Sequence, residues 1–111
     1  MKDDNIYIDH IFQSIDRINS YLKGKDYQSF SKDFLTQDAV VRQLEIIGEA
    51  TKRISREFRD NYPQVPWSDM AGMRDILIHD YIDVDTDIVW KTASESILEL
   101  EELLRSLIRN R

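Results

Sequence analysis

The amino-acid sequence predicts an all-α protein built as an antiparallel bundle of four helices. Of its 111 residues, 41% are hydrophobic and 32% are charged, with only three glycines and two prolines. This composition favours long helices over a loop-rich β architecture. Apolar residues also recur every three or four positions, which places them on one face of a helix. Because the length suits a single core, we expect residues 1–111 to form one domain.

The first two helices are predicted from stripes of apolar residues. One stripe follows the acidic pair Asp3 and Asp4 and ends at Gly24, which predicts a helix from about residue 4 to 23. Its apolar members are Ile8, Ile11, Phe12, Ile15, Ile18 and Leu22. A polar connector, KDYQSFSKD, precedes the second stripe, which predicts one long helix that stops before Asn61. Its stripe consists of Val40, Val41, Leu44, Ile47, Thr51, Ile54 and Phe58. Gly48 lies within this helix at a cost of about 1 kcal/mol relative to alanine, so we expect a close helix approach there.

The third and fourth helices are predicted from caps and apolar positions. Pro63 and Pro66 form a rigid extended link, after which Ser68 or Asp69 is expected to cap a short helix carrying GMRDILIHD. The last helix can be capped by one of three aspartates, Asp83, Asp85 or Asp87. Its apolar positions are Ile88, Val89, Ile97, Leu100, Leu104 and Leu107.

Composition also limits the class of function. Without cysteine, the chain has no disulfide framework, no thiolate zinc site and no cysteine nucleophile. The N-terminus lacks an apolar signal region and no segment is long enough to span a bilayer, so we expect a cytoplasmic protein without a membrane partner. A net charge of −6 argues against indiscriminate nucleic-acid binding. An RNA site must therefore be local or be completed by assembly.

Charged residues form two clusters along the chain. The basic cluster consists of Lys52, Arg53, Arg56 and Arg59, and the acidic cluster consists of Asp80, Asp83, Asp85 and Asp87. Both are also compatible with solvated helix ends. The acidic cluster imitates the start of a calcium loop, but Ile88 replaces the required glycine and Ser94 stands where the bidentate glutamate belongs. We therefore expect no metal site, and no motif indicates a cofactor.

The stretch GMRDILIHDY, residues 72 to 81, concentrates polar side chains around one histidine. On a helix, Asp75 and His79 lie four residues apart on one face, whereas Arg74 is about 140° from His79. Tyr81 returns to within about 20° of Arg74 if the helix continues. This broad polar face predicts a surface cleft or an interface, because burial in a small core would be costly. Taken alone, a histidine near a helix C-terminus is also explained by the helix dipole.

The run NYPQVPWSDMAGMRDILIHDYIDVDTDIVW, with IGEA at 47 to 50, resembles the HepT family of HEPN-domain toxins over essentially the whole chain. The resemblance implies a four-helix HEPN fold and a homodimer in which two Arg-x4-His motifs face a shared cleft. It also implies RNA cleavage without a metal. The implied partner is a minimal nucleotidyltransferase antitoxin that transfers AMP to a tyrosine of the toxin.

Site residues follow from this resemblance. Arg74 and His79 take the catalytic places, Asp75 the polar place after the arginine, and Tyr81 the modified place. Asparagine often follows the arginine in this family, so Asp75 adds negative charge where a phosphate binds, although it can also orient His79. Candidate RNA contacts are Lys52, Arg53 and Arg56.

The chemistry of metal-free RNA cleavage suits these residue types. The ribose 2′-hydroxyl attacks the phosphate, so the site needs a base, an acid and a cation. A dimer supplies two copies of His79 and two of Arg74. Two other functions remain open from the sequence: a non-catalytic helical module that docks the nucleotidyltransferase, and a nucleotide sensor that uses the same cleft.

Overall fold

Every regular element in the described part of the chain is helical, which confirms the all-α prediction. The computed structural model describes the backbone of residues 3–79 and 85–109 and the side chains of residues 3–73 and 85–107. Its α-helices are α1 (Asp4–Leu22), α2 (Tyr27–Lys32), α3 (Phe34–Arg53), α4 (Arg56–Asn61), α5 (Trp67–His79), α6 (Thr86–Lys91) and α7 (Ile97–Arg109). A π-helical turn, Thr92–Ser96, joins α6 to α7.

Helix α3 lies at the centre of the bundle, where it packs against α1 on one side and α5 on another. Helices α6 and α7 and the π-helical turn between them contribute further buried side chains to the core. The buried apolar side chains are Ile8, Ile11, Ile15, Ile18, Phe30, Val40, Leu44, Ile47, Ala50, Ile54, Val65, Trp67, Met70, Val89, Ala93, Ile97, Leu100, Leu104 and Leu107. Gly48 is buried within α3. The close helix approach predicted at this glycine stays a prediction.

The prediction for α1 is confirmed. The Asp3 carboxylate caps the helix by accepting a hydrogen bond from the Asn5 amide at 2.9 Å. The helix ends at Leu22, and Gly24 then adopts a φ of +76°, a left-handed conformation that glycine reaches without a steric cost.

The predicted connector between the first two long helices is wrong in part, because it contains α2. Asp26 and Ser29 form a reciprocal capping box: the Asp26 carboxylate accepts from the Ser29 amide at 2.8 Å, and the Ser29 hydroxyl accepts from the Asp26 amide at 3.1 Å. The fully buried ring of Phe30 anchors this short helix. Six residues are too few for apolar periodicity to reveal a helix.

The predicted long second helix is also wrong, because it breaks between α3 and α4. Ile54 is extended, with φ −71° and ψ 136°. The Ser55 hydroxyl then caps α4 by accepting from the Phe58 amide at 3.1 Å. The apolar stripe continued in phase across this break, so periodicity alone did not show it.

The cap predicted for the third helix lies too late in the chain. Helix α5 begins at Trp67, because the Met70 amide donates to the Pro66 carbonyl at 3.0 Å, and neither Ser68 nor Asp69 is its cap. Proline suits the entry to a helix, where its missing N–H is not needed.

The last helix is capped by Asp85, one of the three predicted aspartates, while Asp83 lies outside the described residues. The Asp85 carboxylate accepts from the amide of Asp87 at 2.9 Å. The π-helical turn was not predicted. Across the parts of the chain that the structure describes, no helix combines the length and apolarity needed to cross a bilayer.

Candidate active site on helix α5

Helix α5 carries the predicted catalytic motif. Arg74, Asp75 and His79 all lie within Trp67–His79, so the helical spacing used for the prediction applies to their backbone positions. Positions 75 and 79 are one turn apart on one face, and position 74 is about 140° from position 79. The side chains of these three residues, and Tyr81 entirely, lie outside the described residues.

Aromatic contacts fix the N-terminal end of α5 against α4. The indole of Trp67 is buried, and its Nε1 donates to the Tyr62 carbonyl at 2.9 Å. The Phe58 ring meets the indole edge to face, with centroids 6.1 Å apart, and stacks at an angle on Tyr62. Such pairs contribute beyond the area they bury. The start of α5 is therefore held rigidly beside α4.

A wide cleft opens at this junction between α4 and α5. It has a volume of about 880 Å³, within the range that admits a small ligand or part of a polymer. We call it the arginine cleft, and it is lined by Arg56, Arg59, Asp60, Pro63, Val65, Pro66, Trp67, Ser68, Asp69 and Ala71. Two cationic and two anionic side chains thus face the same space.

The two arginines of this cleft differ in exposure. Arg56 is exposed, whereas Arg59 is half-buried and its Nε is enclosed without a hydrogen-bond acceptor. Arg56 was a predicted RNA contact, but Arg59 was noted only as a member of the basic cluster. The spacing of three residues between them, which puts both on one face of α4, was the available signal.

The other two predicted RNA contacts lie elsewhere. Lys52 and Arg53 are exposed in the last turn of α3, and Arg53 pairs with Glu49 at 3.5 Å. Arg53 lines a second cleft, of about 390 Å³, which we call the α1–α3 cleft. That cleft is lined by Tyr7, His10, Arg42, Glu45, Ile46, Glu49, Ala50 and Arg53. Arg53 and Arg56 therefore lie in different clefts, and Lys52 lines neither of them.

His10 lies in the α1–α3 cleft and was not among the predicted site residues. Its ring meets Tyr7 edge to face with centroids 6.2 Å apart, as expected for residues three apart on a helix. Arg42 in the same cleft pairs with Glu45 at 3.6 Å. Because its arginines face their own carboxylates, this cleft is less suited to an anion than the arginine cleft.

A tyrosine–carboxylate contact holds the helix that follows the motif. The Tyr27 hydroxyl of α2 donates to the Asp87 carboxylate of α6, and this hydrogen bond raises the pKa of Tyr27 above its usual value. Tyr27 also packs edge to face on Trp90. Helix α6 is thereby tied to the start of α2.

No cluster of three or more metal-ligating side chains occurs among the residues whose side chains are described. The arrangement at α5 instead offers guanidinium groups beside a helix that carries a histidine. Guanidinium groups can bind phosphate, and a histidine imidazole can transfer protons.

Comparison with known proteins identifies the family. Residues 11–107 match the model of the family described as "Ribonuclease HepT-like". The chain is 41% identical over 109 residues to "Putative RNase TTE0752" of Caldanaerobacter subterraneus subsp. tengcongensis, covering 98% of this chain and 97% of that protein. It is 43% identical over 95 residues to "Probable ribonuclease HepT" of Thermococcus cleftensis, covering 86% of each chain.

A further relative carries this domain within a longer chain. The "Gamma-glutamylcyclotransferase and putative RNase MJ0434" of Methanocaldococcus jannaschii is 45% identical over 101 residues, which are 91% of this chain and 46% of that protein. No solved structure matches. The chain belongs to the HepT-like ribonuclease family, and the resemblance first noted from its sequence is confirmed.

Proposed function

We propose that this protein is a metal-independent endoribonuclease and the toxin of a toxin–antitoxin pair. The observation that carries the proposal is membership of the HepT-like ribonuclease family, matched over residues 11–107, with Arg74 and His79 both inside that range. Both positions lie on helix α5, which supports assigning them to one site.

In the proposed reaction, the ribose 2′-hydroxyl loses its proton to a histidine base and attacks the adjacent phosphorus. The bond from phosphorus to the 5′-oxygen breaks, and a histidine acid protonates that oxygen. The products are a 2′,3′-cyclic phosphate and a 5′-hydroxyl end. Arg74 stabilises the crowded phosphate through two N–H donors, and Asp75 orients the imidazole of His79.

This mechanism requires a homodimer. One chain supplies a single His79, whereas the reaction uses one base and one acid. Two chains related by a twofold axis bring two copies of each group to one cleft. Assembly also supplies a local positive site to a chain whose net charge is −6.

Substrate RNA is proposed to extend from the motif along the basic residues Lys52, Arg53 and Arg56. All three are exposed, Lys52 and Arg53 at the end of α3 and Arg56 at the start of α4, and basic side chains contact the phosphates of nucleic acids.

The proposed partner is a minimal nucleotidyltransferase that attaches AMP to Tyr81. Tyr81 comes two residues after His79, so an attached AMP would occupy space needed by the RNA and add negative charge there. Modification would then switch the ribonuclease off.

Incubation of the purified protein with total RNA in EDTA, followed by mapping of the new ends, tests the proposal. We expect cleavage with 2′,3′-cyclic phosphate and 5′-hydroxyl ends for the wild type, and its loss in His79→Ala. Cleavage that disappears in EDTA, or that His79→Ala retains, would exclude this mechanism. A His79→Ala protein that still binds the nucleotidyltransferase would show that the fold is intact. If even the wild type leaves RNA intact while it binds that partner, the docking function is favoured.

A further inference from the structure

We propose that the arginine cleft is a phosphate-binding subsite, which holds the backbone of the RNA strand a few nucleotides from the bond cleaved at His79. This inference rests on the proposed function for the identity of its ligand. It adds Arg59 as a substrate-binding residue and makes the α4–α5 junction part of the RNA path.

The first argument is the state of the two guanidinium groups. Among the described residues, Arg42, Arg53 and Arg105 each pair with a glutamate of their own helix. Arg56 and Arg59 both line a cleft, and neither pairs with a carboxylate among the residues whose side chains are described. Their charges therefore remain available to a ligand. Phosphate oxygens are the acceptors that match a guanidinium fork.

The second argument is the unsatisfied Nε of Arg59. A buried donor without an acceptor is unfavourable, and this Nε has no partner among the protein atoms. A side-on contact with phosphate uses Nε and one Nη together. A small rotation of the half-buried side chain towards the cleft would give Nε the acceptor that it lacks.

The third argument is the position of the cleft relative to the motif. Ala71 belongs to the cleft wall, and positions 75 and 79 follow it at intervals of one turn on the same side of α5. With a rise of 1.5 Å per residue, the backbone of position 79 lies about 12 Å along the helix axis from Ala71. At about 3.4 Å per nucleotide in a stacked strand, at most about four nucleotides separate the two places.

The carboxylates of the cleft determine what kind of anion it selects. Asp60 and Asp69 line the same space, so the cleft is close to neutral as a whole. A free phosphate gains little binding free energy from a cleft without net charge. An RNA strand already held at the catalytic position gains more, because its neighbouring phosphates are delivered at high effective concentration. We therefore assign the cleft to RNA and not to a free nucleotide.

Salt-dependent binding tests this assignment without relying on cleavage. Fluorescence anisotropy would follow a labelled twelve-nucleotide RNA on the full-length protein in a His79→Ala background. Adding Arg56→Gln and Arg59→Gln should weaken RNA binding about tenfold or more. The slope of log K against log salt should become less negative by about 1.4, since each lost contact with a single-stranded phosphate removes about 0.7. Arg59→Lys should keep the slope but weaken binding, because lysine keeps the charge and loses the fork.

The matched control removes the same charge elsewhere. Arg17 on α1 and Lys32 on α2 are both exposed, so Arg17→Gln with Lys32→Gln alters net charge equally. An equal loss in this control would mean that bulk charge is responsible and would overturn the subsite.

Unchanged RNA binding in the Arg56/Arg59 double variant, with its melting temperature preserved, would also overturn it. Loss of ATP binding in this double variant, without loss of RNA binding, would indicate a nucleotide site and would overturn the proposal as well. A protein that binds RNA as expected here but never cleaves it would refute the proposed function and not the subsite.

Discussion

The carboxylate of Asp4 joins the start of α1 to the start of α4 through Ser55. One carboxylate oxygen accepts from the Ser55 amide and the other from the Ser55 hydroxyl, each at 2.7 Å, across 51 residues of sequence. The same hydroxyl accepts from the Phe58 amide at 3.1 Å, so Ser55 serves both as cap and as anchor. Because α4 carries Arg56 and Arg59, this contact also fixes the arginine cleft.

Removing this anchor should destabilise the fold. We expect Asp4→Ala to lower the free energy of unfolding by about 1–2 kcal/mol, since two hydrogen bonds to a partly buried carboxylate are lost. Urea denaturation measures the change, and Asp9→Ala, an exposed aspartate on the same helix, is the control. A double-mutant cycle with Ser55→Ala should show strong coupling. Additive effects of the two substitutions would contradict the direct contact.

Asp33 should make the stability of the fold depend on pH in the acid range. Hydrogen bonds from the hydroxyl and the amide of Thr36, together with the ion pair to Lys25 at 3.0 Å, lower the pKa of Asp33 from 3.8 to about 2. A lowered pKa in the folded state stabilises the protein above the unfolded value, and this stabilisation is lost as pH falls towards the folded value. The melting temperature of wild type should exceed that of Asp33→Asn near neutral pH, and the difference should shrink between about pH 4 and pH 2. A difference that persists unchanged at pH 2 would show that charge is not involved.

Replacing Arg74 by lysine should impair cleavage by about tenfold or more despite the conserved charge, because an ammonium group cannot hold two phosphate oxygens in a fork. Arg74→Ala should be worse. Rates with a defined RNA oligonucleotide in EDTA provide the measurement, with Arg17→Lys as a matched control on α1. If Arg74→Lys cleaved RNA at the wild-type rate, Arg74 would act only through its positive charge.

Tyr81→Phe should remain toxic when expressed but escape silencing by the nucleotidyltransferase, because phenylalanine has no hydroxyl to receive AMP. Growth assays with the co-expressed partner test the escape, and mass spectrometry should find one or more AMP adducts on Tyr81 of the wild type. Tyr27→Phe is a control that removes a hydroxyl elsewhere. An adduct on another residue, or silencing of Tyr81→Phe, would remove Tyr81 from the switch.

The sequence predicted the long apolar helices more reliably than their ends. The stripe of α1 was found because periodicity and capping residues agree there, and Asp85 was one of three candidate caps for the last helix. The break at Ser55 was missed, since there the Ser55 amide donates to a carboxylate 51 positions away in the sequence. Closeness in the sequence likewise grouped Lys52, Arg53 and Arg56, but Arg53 and Arg56 lie on either side of that break and line different clefts. The spacing of Arg56 and Arg59 was visible in the sequence, but the cleft that both line depends on how α4 and α5 pack.

The central claim, a ribonuclease site made from His79 of two chains, is tested most directly by mixing active and inactive subunits. Wild type and His79→Ala would be unfolded, mixed in varying ratio at constant total concentration and refolded together, with sizing to confirm dimers. Cleavage of RNA in EDTA should fall with the square of the wild-type fraction, to about one quarter in an equal mixture, because only wild-type pairs hold both acid and base. A linear fall to about one half, or full activity in a monomer, would contradict the shared site.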